Sequence, residues 1–291
     1  MKKKNIVLTI AGSDPAGGAG IQADIRTAER IGLYPCSVIT ALTAQNTSKE
    51  AEIWGVEPLK INDQLEWLIE DIHPDAVKIG LITSADALNV IVQAIHKFDL
   101  NNIVVDPVMS LTLSSQKPNT KLAEAYIEEL FPVTTLVTPN LPEKTFFEKI
   151  SGKNFENLCD AFLLKGGHAE DNECIDKLYY HSLEKGYGDF QSTAFPSLTN
   201  KNQPILPQDS SLLKEEEYTR EIHEKEFKTR RLNTTNTHGS GCVLSTAIAC
   251  YLAKDYHIEK AVESGLKFTH KSMRDSALFK IGKGNYGPTL Y

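Results

Sequence analysis

Six short β-branched runs, at residues 6–10, 37–42, 76–79, 103–105, 136–138 and 162–165, are separated by longer stretches whose apolar residues recur at helical spacing. Leu88, Ile91, Val92 and Ile95 share one helical face, as do Leu122, Tyr126, Ile127 and Leu130. Parallel strands need a crossover long enough to hold a helix, so this alternation predicts an α/β fold with a central, mostly parallel sheet flanked by helices on both faces. Nearly every run ends in a polar, Gly or Pro cluster: Gly12-Ser13-Asp14, Ala44-Gln45-Asn46, Asp106-Pro107, Pro139-Asn140 and Gly166-Gly167-His168. Ligands of open α/β sheets bind beyond the carboxyl ends of the strands, so these clusters are expected to converge on one site.

A length of 291 residues with 41% hydrophobic content supports a sizeable core, read here as a single domain spanning residues 1–291. Residues 183–224 break the rhythm, with three prolines, a polar run from Thr199 to Gln203 and the charged cluster Lys214-Glu215-Glu216-Glu217. They read as an insertion between two further strands, at 175–180 and 227–232. The net charge of −7 comes without a basic stripe, which argues against nucleic acid as a partner. No stretch approaches the ~18 apolar residues of a membrane span, and Lys2-Lys3-Lys4 precedes an apolar run too short for a signal peptide. Five scattered cysteines form neither a disulfide framework nor a zinc pattern, so a reducing, cytoplasmic location is expected.

Two glycine-rich segments carry the chemistry. The first, Gly12 to Gly20, joins a strand to a helix beginning near Ile21 and lets backbone amides approach a ligand closely. Its Gly18-Ala19-Gly20-Ile21-Gln22-Ala23 fits a dinucleotide fingerprint, but no Asp or Glu occurs in residues 37–48, where the ribose-binding acid belongs. The second, Asn236-Thr237-His238-Gly239-Ser240-Gly241-Cys242, opens an apolar helix, so the turn Gly239-Ser240-Gly241 presents several free amides and the positive end of the helix dipole to one point. Such an anion hole suits a phosphoryl group in transit. Cys242 at that helix start is expected to have a thiol pKa below about 8.5 and to act as a base toward a substrate hydroxyl, the alternative being a small residue filling a turn. Asp106 and Glu143, both at strand ends, are expected to hold Mg²⁺, although Glu143 alone could simply stabilise its own helix. Lys165 is placed to neutralise a nucleotide phosphate.

Together, Ala11-Gly12-Ser13-Asp14-Pro15 with Gly17 to Asp24, Val38 to Thr47, Val77-Lys78-Ile79-Gly80, Val105 to Met109, Thr138 to Glu143, Lys165 to His168 and Thr237 to Cys242 resemble the hydroxymethylpyrimidine and phosphomethylpyrimidine kinases of the ribokinase-like superfamily. The resemblance implies a ribokinase-like fold and ATP- and Mg²⁺-dependent phosphorylation of an aminopyrimidine hydroxymethyl group and then of its monophosphate, for thiamine synthesis by a homodimer. Carried over by position, Gln45 would recognise the pyrimidine. Ala19, Gly20, Asp24, Val108 and Leu81 would complete the pocket. Asn140, Thr237 and Lys165 would serve the nucleotide, and Cys242 would lie by the reacting hydroxyl. The Gln45 carboxamide also fits on its own chemistry, offering an acceptor and donors side by side to an amino group and a ring nitrogen. Leu81 stands where the family usually has Met, and the insertion is longer than usual. A pyridoxal kinase on the same scaffold is the nearest alternative, and a non-catalytic vitamin or nucleotide sensor a more distant one.

Overall fold

The computed structural model describes residues 3–48, 52–109, 119–166, 173–183, 220–284 and 287–289. Nine strands form one sheet in the order β3-β2-β1-β4-β5-β6-β7-β8-β9. They are β1 (Ile6–Ser13), β2 (Tyr34–Ala44), β3 (Glu52–Gly55), β4 (Ala76–Ile79), β5 (Ile103–Val105), β6 (Leu136–Val137), β7 (Ala161–Leu164), β8 (Glu173–Leu183) and β9 (Arg220–Arg230). The six from β1 to β7 without β3 run parallel; antiparallel pairing adds β3 at one edge and β8 and then β9 at the other, so β3 and β8 oppose the six and β9 runs with them. Helices α1 (Gly20–Ile31), α6 (Ser240–Leu252) and α7 (Ile258–Ser276) flank the sheet opposite α2 (Pro58–Asp71), α3 (Ala85–Lys97), α4 (Thr120–Ala125) and α5 (Leu141–Ser151). Side chains alternate along each strand. Leu8, Ile10, Val77, Ile79, Ile103 and Val105 therefore enter one core, and Val7, Ala76, Val104 and Leu136 enter the other. Helix α6 is buried almost all round, and accordingly its sequence is apolar without a polar face.

Three details differ from the sequence reading. The edge strand β3 was not expected, since Ile53 and Trp54 are its only large apolar residues. The second helical stripe is α-helical only to Ala125 and then widens into a π turn over Tyr126–Leu130. Pro132, two residues further on, has no amide to return to Glu128, so the regular helix cannot continue there. The strand expected at 227–232 is instead Arg220–Arg230, paired over eleven positions with Glu173–Leu183. That ribbon exposes charges, with Lys177 2.8 Å from Glu224 and 3.0 Å from Glu226, so it lacks the apolar rhythm that marks a buried strand. Its strands take in both ends of the expected 183–224 insertion, whose residues 184–219 lie outside the described residues.

Candidate active site

The order β2-β1-β4-β5 places the topological switch point between β1 and β4, and the carboxyl ends of the parallel strands open there. β1 delivers the first glycine loop. Gly20, at φ +56, begins α1, and a Cβ on it would stand 2.2 Å from the Gly12 carbonyl oxygen, so only glycine allows the loop to fold back on its strand. On the far side, Gly239 caps α6 at φ 78 with no side-chain cap. A Cβ there would meet the Gly18 carbonyl oxygen at 1.8 Å. The two glycine segments, more than two hundred residues apart in the chain, thus touch backbone to backbone. Ser240 returns its amide to Thr237 and the first helical bond comes from Val243, which leaves the Gly241 and Cys242 amides directed out of the helix start.

The α6 start faces Asp106: a Cβ on Gly241 would lie 3.1 Å from Asp106 Oδ2 and 3.7 Å from Lys165 Nζ. Lys165 bonds Asp106 at 2.8 Å and stands 3.8 Å from Glu143. Burial would push its ammonium pKa down, but the two carboxylates outweigh that and hold it above the ordinary value. Asn140 and Glu143 form a reciprocal cap on α5, each accepting a backbone N–H of the other at 2.8 Å. The helix-stabilising role of Glu143 is therefore present, and one of its oxygens remains for another partner. Burial, opposed by Lys165 and reinforced by Asp106, pushes Glu143 up to about 7. Among the described residues no group of three His, Cys, Asp or Glu side chains forms a metal cage. Two hard carboxylates with free oxygens nevertheless suit Mg²⁺, which keeps most of its waters.

Two expectations are corrected. The Cys242 thiol is not lowered but pushed up to about 11: burial penalises the thiolate, Asp24 and Asp106 repel it, and the attraction of Lys78 and the Gly20 amide does not compensate. Asp24, expected in the substrate pocket, is sealed beneath it. Its oxygens accept bonds from Thr9 (2.5 Å), Lys78 (2.8 Å) and Thr246 (2.7 Å), leaving it no face toward a ligand. The remaining residues are brought to the strand ends. Ala19 caps α1, Leu81 packs against Gly12, Val108 follows Asp106, and Gln45 stands half-buried just beyond β2. Thr237 lies in the turn before α6. Gly167 and His168 fall outside the described residues.

Lys78, Asp14 and His238 also belong to this assembly, although the motifs that contain them give them no role. Lys78 is fully buried, ion-paired with Asp24, and a Cβ on Gly80 would lie 2.8 Å from its ammonium. Its signal in the sequence was a lysine inside the otherwise apolar run Ala76-Val77-Lys78-Ile79, where a charge persists only with a partner. The chain's last described residues join the same assembly: Gly284 donates to Thr47 (3.1 Å), His238 donates its amide to Gly287 (3.1 Å), and Thr289 donates its amide to His238 (2.9 Å). No local pattern foretells those bonds.

The family model described as Phosphomethylpyrimidine kinase matches residues 14–197 and 208–289, passing over only residues 198–207 within the expected insertion. A hydroxymethylpyrimidine/phosphomethylpyrimidine kinase of Salmonella typhimurium is 31% identical over 95% of this chain and 94% of its own length. The crystal structure of a Clostridium difficile phosphomethylpyrimidine kinase is 32% identical, covers 92% of this chain and 99% of its own, and superposes with a TM-score of 0.63. A Bacillus subtilis pyridoxal kinase solved as an ADP complex is 24% identical over 99% of this chain and 97% of its own, with a TM-score of 0.75, a likeness of fold. With residues 14–20 of the first glycine segment, the Asp106 strand end and the α6 start inside one nearly end-to-end match, the chain belongs to the phosphomethylpyrimidine kinase family.

Proposed function

We propose that this chain uses ATP with Mg²⁺ to phosphorylate 4-amino-5-hydroxymethyl-2-methylpyrimidine and then its monophosphate, giving the diphosphate for thiamine synthesis. The observation that carries this reading is the meeting of the first glycine loop with the open start of α6 beside Asp106 and Lys165. Gln45 pairs with the amino-pyrimidine edge, and Ala19, Gly20, Val108 and Leu81 shape the pocket. The Gly241 and Cys242 amides receive charge on the transferring phosphoryl group, with Gly239 and Ser240 setting their direction. Lys165, Asn140 and Thr237 serve the nucleotide side. Asp106 and Glu143 would hold Mg²⁺, which neutralises phosphate charge when bound. Phosphoryl transfer depends mainly on positioning and electrostatics and makes little demand on a base. Cys242, held as the neutral thiol, therefore lies by the acceptor hydroxyl without serving as its base, and the hydroxyl proton passes to the oxygens of the transferred phosphoryl group. Assembly as a homodimer belongs to the same reading: Leu42 and Trp54, opposed across β2 and β3, are 51% and 53% exposed and offer an apolar edge to a second copy.

A nucleotide-release assay with hydroxymethylpyrimidine, its phosphate and pyridoxal, compared by kcat/KM, tests the reading. Higher kcat/KM for the pyrimidines is expected, and preference for pyridoxal would overturn it. Gln45→Leu should weaken pyrimidine binding by roughly 1–3 kcal/mol, the cost of an unsatisfied buried polar group, with the KM for ATP unchanged.

A further inference from the structure

We propose that His238 is a positioning residue: through its bond to Asp14 it fixes the substrate loop of residues 14–20 against the start of α6, and so sets the alignment of the acceptor hydroxyl with the anion hole. The inference rests on the kinase reading above for which loop holds which reactant. Asp14 is almost wholly buried at the end of β1, and its carboxylate gathers four donors. Oδ1 accepts the Ala16 amide at 2.8 Å, while Oδ2 accepts the amides of Gly18 (2.9 Å) and Ala19 (2.8 Å) and lies 3.0 Å from His238 Nε2. Burial alone would raise the Asp14 pKa, but the His238 bond and the loop amides outweigh it and hold the carboxyl below its ordinary value. An ionised carboxylate can only accept, so Nε2 carries the proton.

Three amides on one carboxylate fix the shape of the loop, and the imidazole adds its position relative to α6. The Cys242 thiol, which meets the Gly20 amide, is a second side-chain link across this seam, and the backbones are already in contact. A Cβ on Gly18 would meet His238 Cδ2 at 2.3 Å, and one on Gly239 would strike the Gly18 carbonyl. His238 itself is anchored from behind, its amide and carbonyl bonded to Gly287 and Thr289. The loop it holds bears Ala19 and Gly20, and the Gly20 amide points at the Cys242 thiol. Removing the bond therefore leaves each reactant's own contacts intact and loosens only the distance between them. A misplacement of this kind acts on kcat rather than on KM.

The test uses the full chain with His238→Ala, His238→Gln and His238→Asn. In His238→Ala, kcat with hydroxymethylpyrimidine and MgATP should fall by about 10-fold to 100-fold, the effect of ångström-scale misplacement, with both KM values nearly unchanged. Glutamine reaches as far as Nε2 and should restore most of the rate, whereas asparagine, which reaches only as far as Nδ1, should not. Amide hydrogen exchange of the 14–20 and 236–242 peptides should rise together in the Ala and Asn variants and stay low in the Gln variant. A parental kcat in His238→Ala, or equal behaviour of Gln and Asn, would overturn the proposal. Absence of pyrimidine turnover in the parent would instead strike the kinase reading, and the exchange pattern would still decide the role of His238. Should the Ala variant not fold, the Gln and Asn pair carries the same comparison.

Discussion

Raising the pH around Cys242 measures how strongly the site suppresses its thiolate. With the thiol pushed up to about 11 by burial, Asp24 and Asp106, the thiolate fraction at pH 8 is on the order of 0.1%, against roughly a quarter for a free thiol of pKa about 8.5. That is a deficit of about 200-fold. A more basic thiolate is also more nucleophilic, with a Brønsted slope of about 0.4–0.5, which returns roughly tenfold and leaves a net suppression of about 20-fold toward a disulfide reagent. Restricted access slows the absolute rate further without changing its pH dependence. The assay is peptide-resolved mass spectrometry after timed labelling, which separates Cys242 from the partly exposed Cys174 and the buried Cys36, Cys159 and Cys250. The logarithm of the Cys242 rate should climb with unit slope from pH 7 to 10. A plateau with a midpoint at or below about 8.5 would refute the electrostatic argument and restore the lowered thiol that a helix start alone favours.

Lys78→Met leaves Asp24 charged and buried without its cation, so a loss of about 3–5 kcal/mol is expected in urea unfolding, and a loss below about 1 kcal/mol would show that the Thr9 and Thr246 bonds suffice. Tyr126 is fully buried and its hydroxyl has no hydrogen-bond partner among the described residues, so Tyr126→Phe should be neutral or stabilising by up to about 1–3 kcal/mol; measurable destabilisation would reveal a further partner. Glu143 titrates near 7 in the folded chain, above its unfolded value, so its contribution is full below about pH 4.3 and is lost as pH rises through 7. Glu143→Gln should flatten that part of the stability profile, and an unchanged slope between pH 5 and 8 would sink the assignment. Leu183 and Arg220 are register partners, so a two-residue turn replacing residues 184–219 should preserve the β8–β9 ribbon and soluble folding, whereas a cut extended to residue 222 removes three pairing positions and should not.

The parallel strands were legible because burial on both faces writes a nearly continuous apolar run, as in Ile103-Val104-Val105, and the flanking Gly, Pro and Asp punctuate it. The charged β8–β9 ribbon was legible only in part, at 175–180 and 227–230, and the four-residue β3 not at all, since their partners more than their own apolar content hold them in the sheet. The same division runs through the site. Glycines at 20, 239 and 241 announce close backbone approach, and each is pressed against a neighbour that a Cβ would strike or crowd. The Cys242 environment was not legible, because a helix start lowers a thiol pKa only while the charges around it are neutral or positive. Here burial penalises the thiolate most, and Asp24 and Asp106, brought by α1 and β5 from 218 and 136 positions away, add to it against the pull of Lys78, so the sign is reversed. Lys78 shows why that reversal need not disable the site. Its ammonium sits on the α1 and α6 side of the sheet, and it attracts a thiolate while Asp24 repels one. Burial thus holds Cys242 neutral, in a field whose balance shifts with any added positive charge. A Mg²⁺ held by Asp106 and Glu143, as proposed, would bring such charge to the Asp106 side and offset part of the repulsion that Asp106 exerts on Cys242.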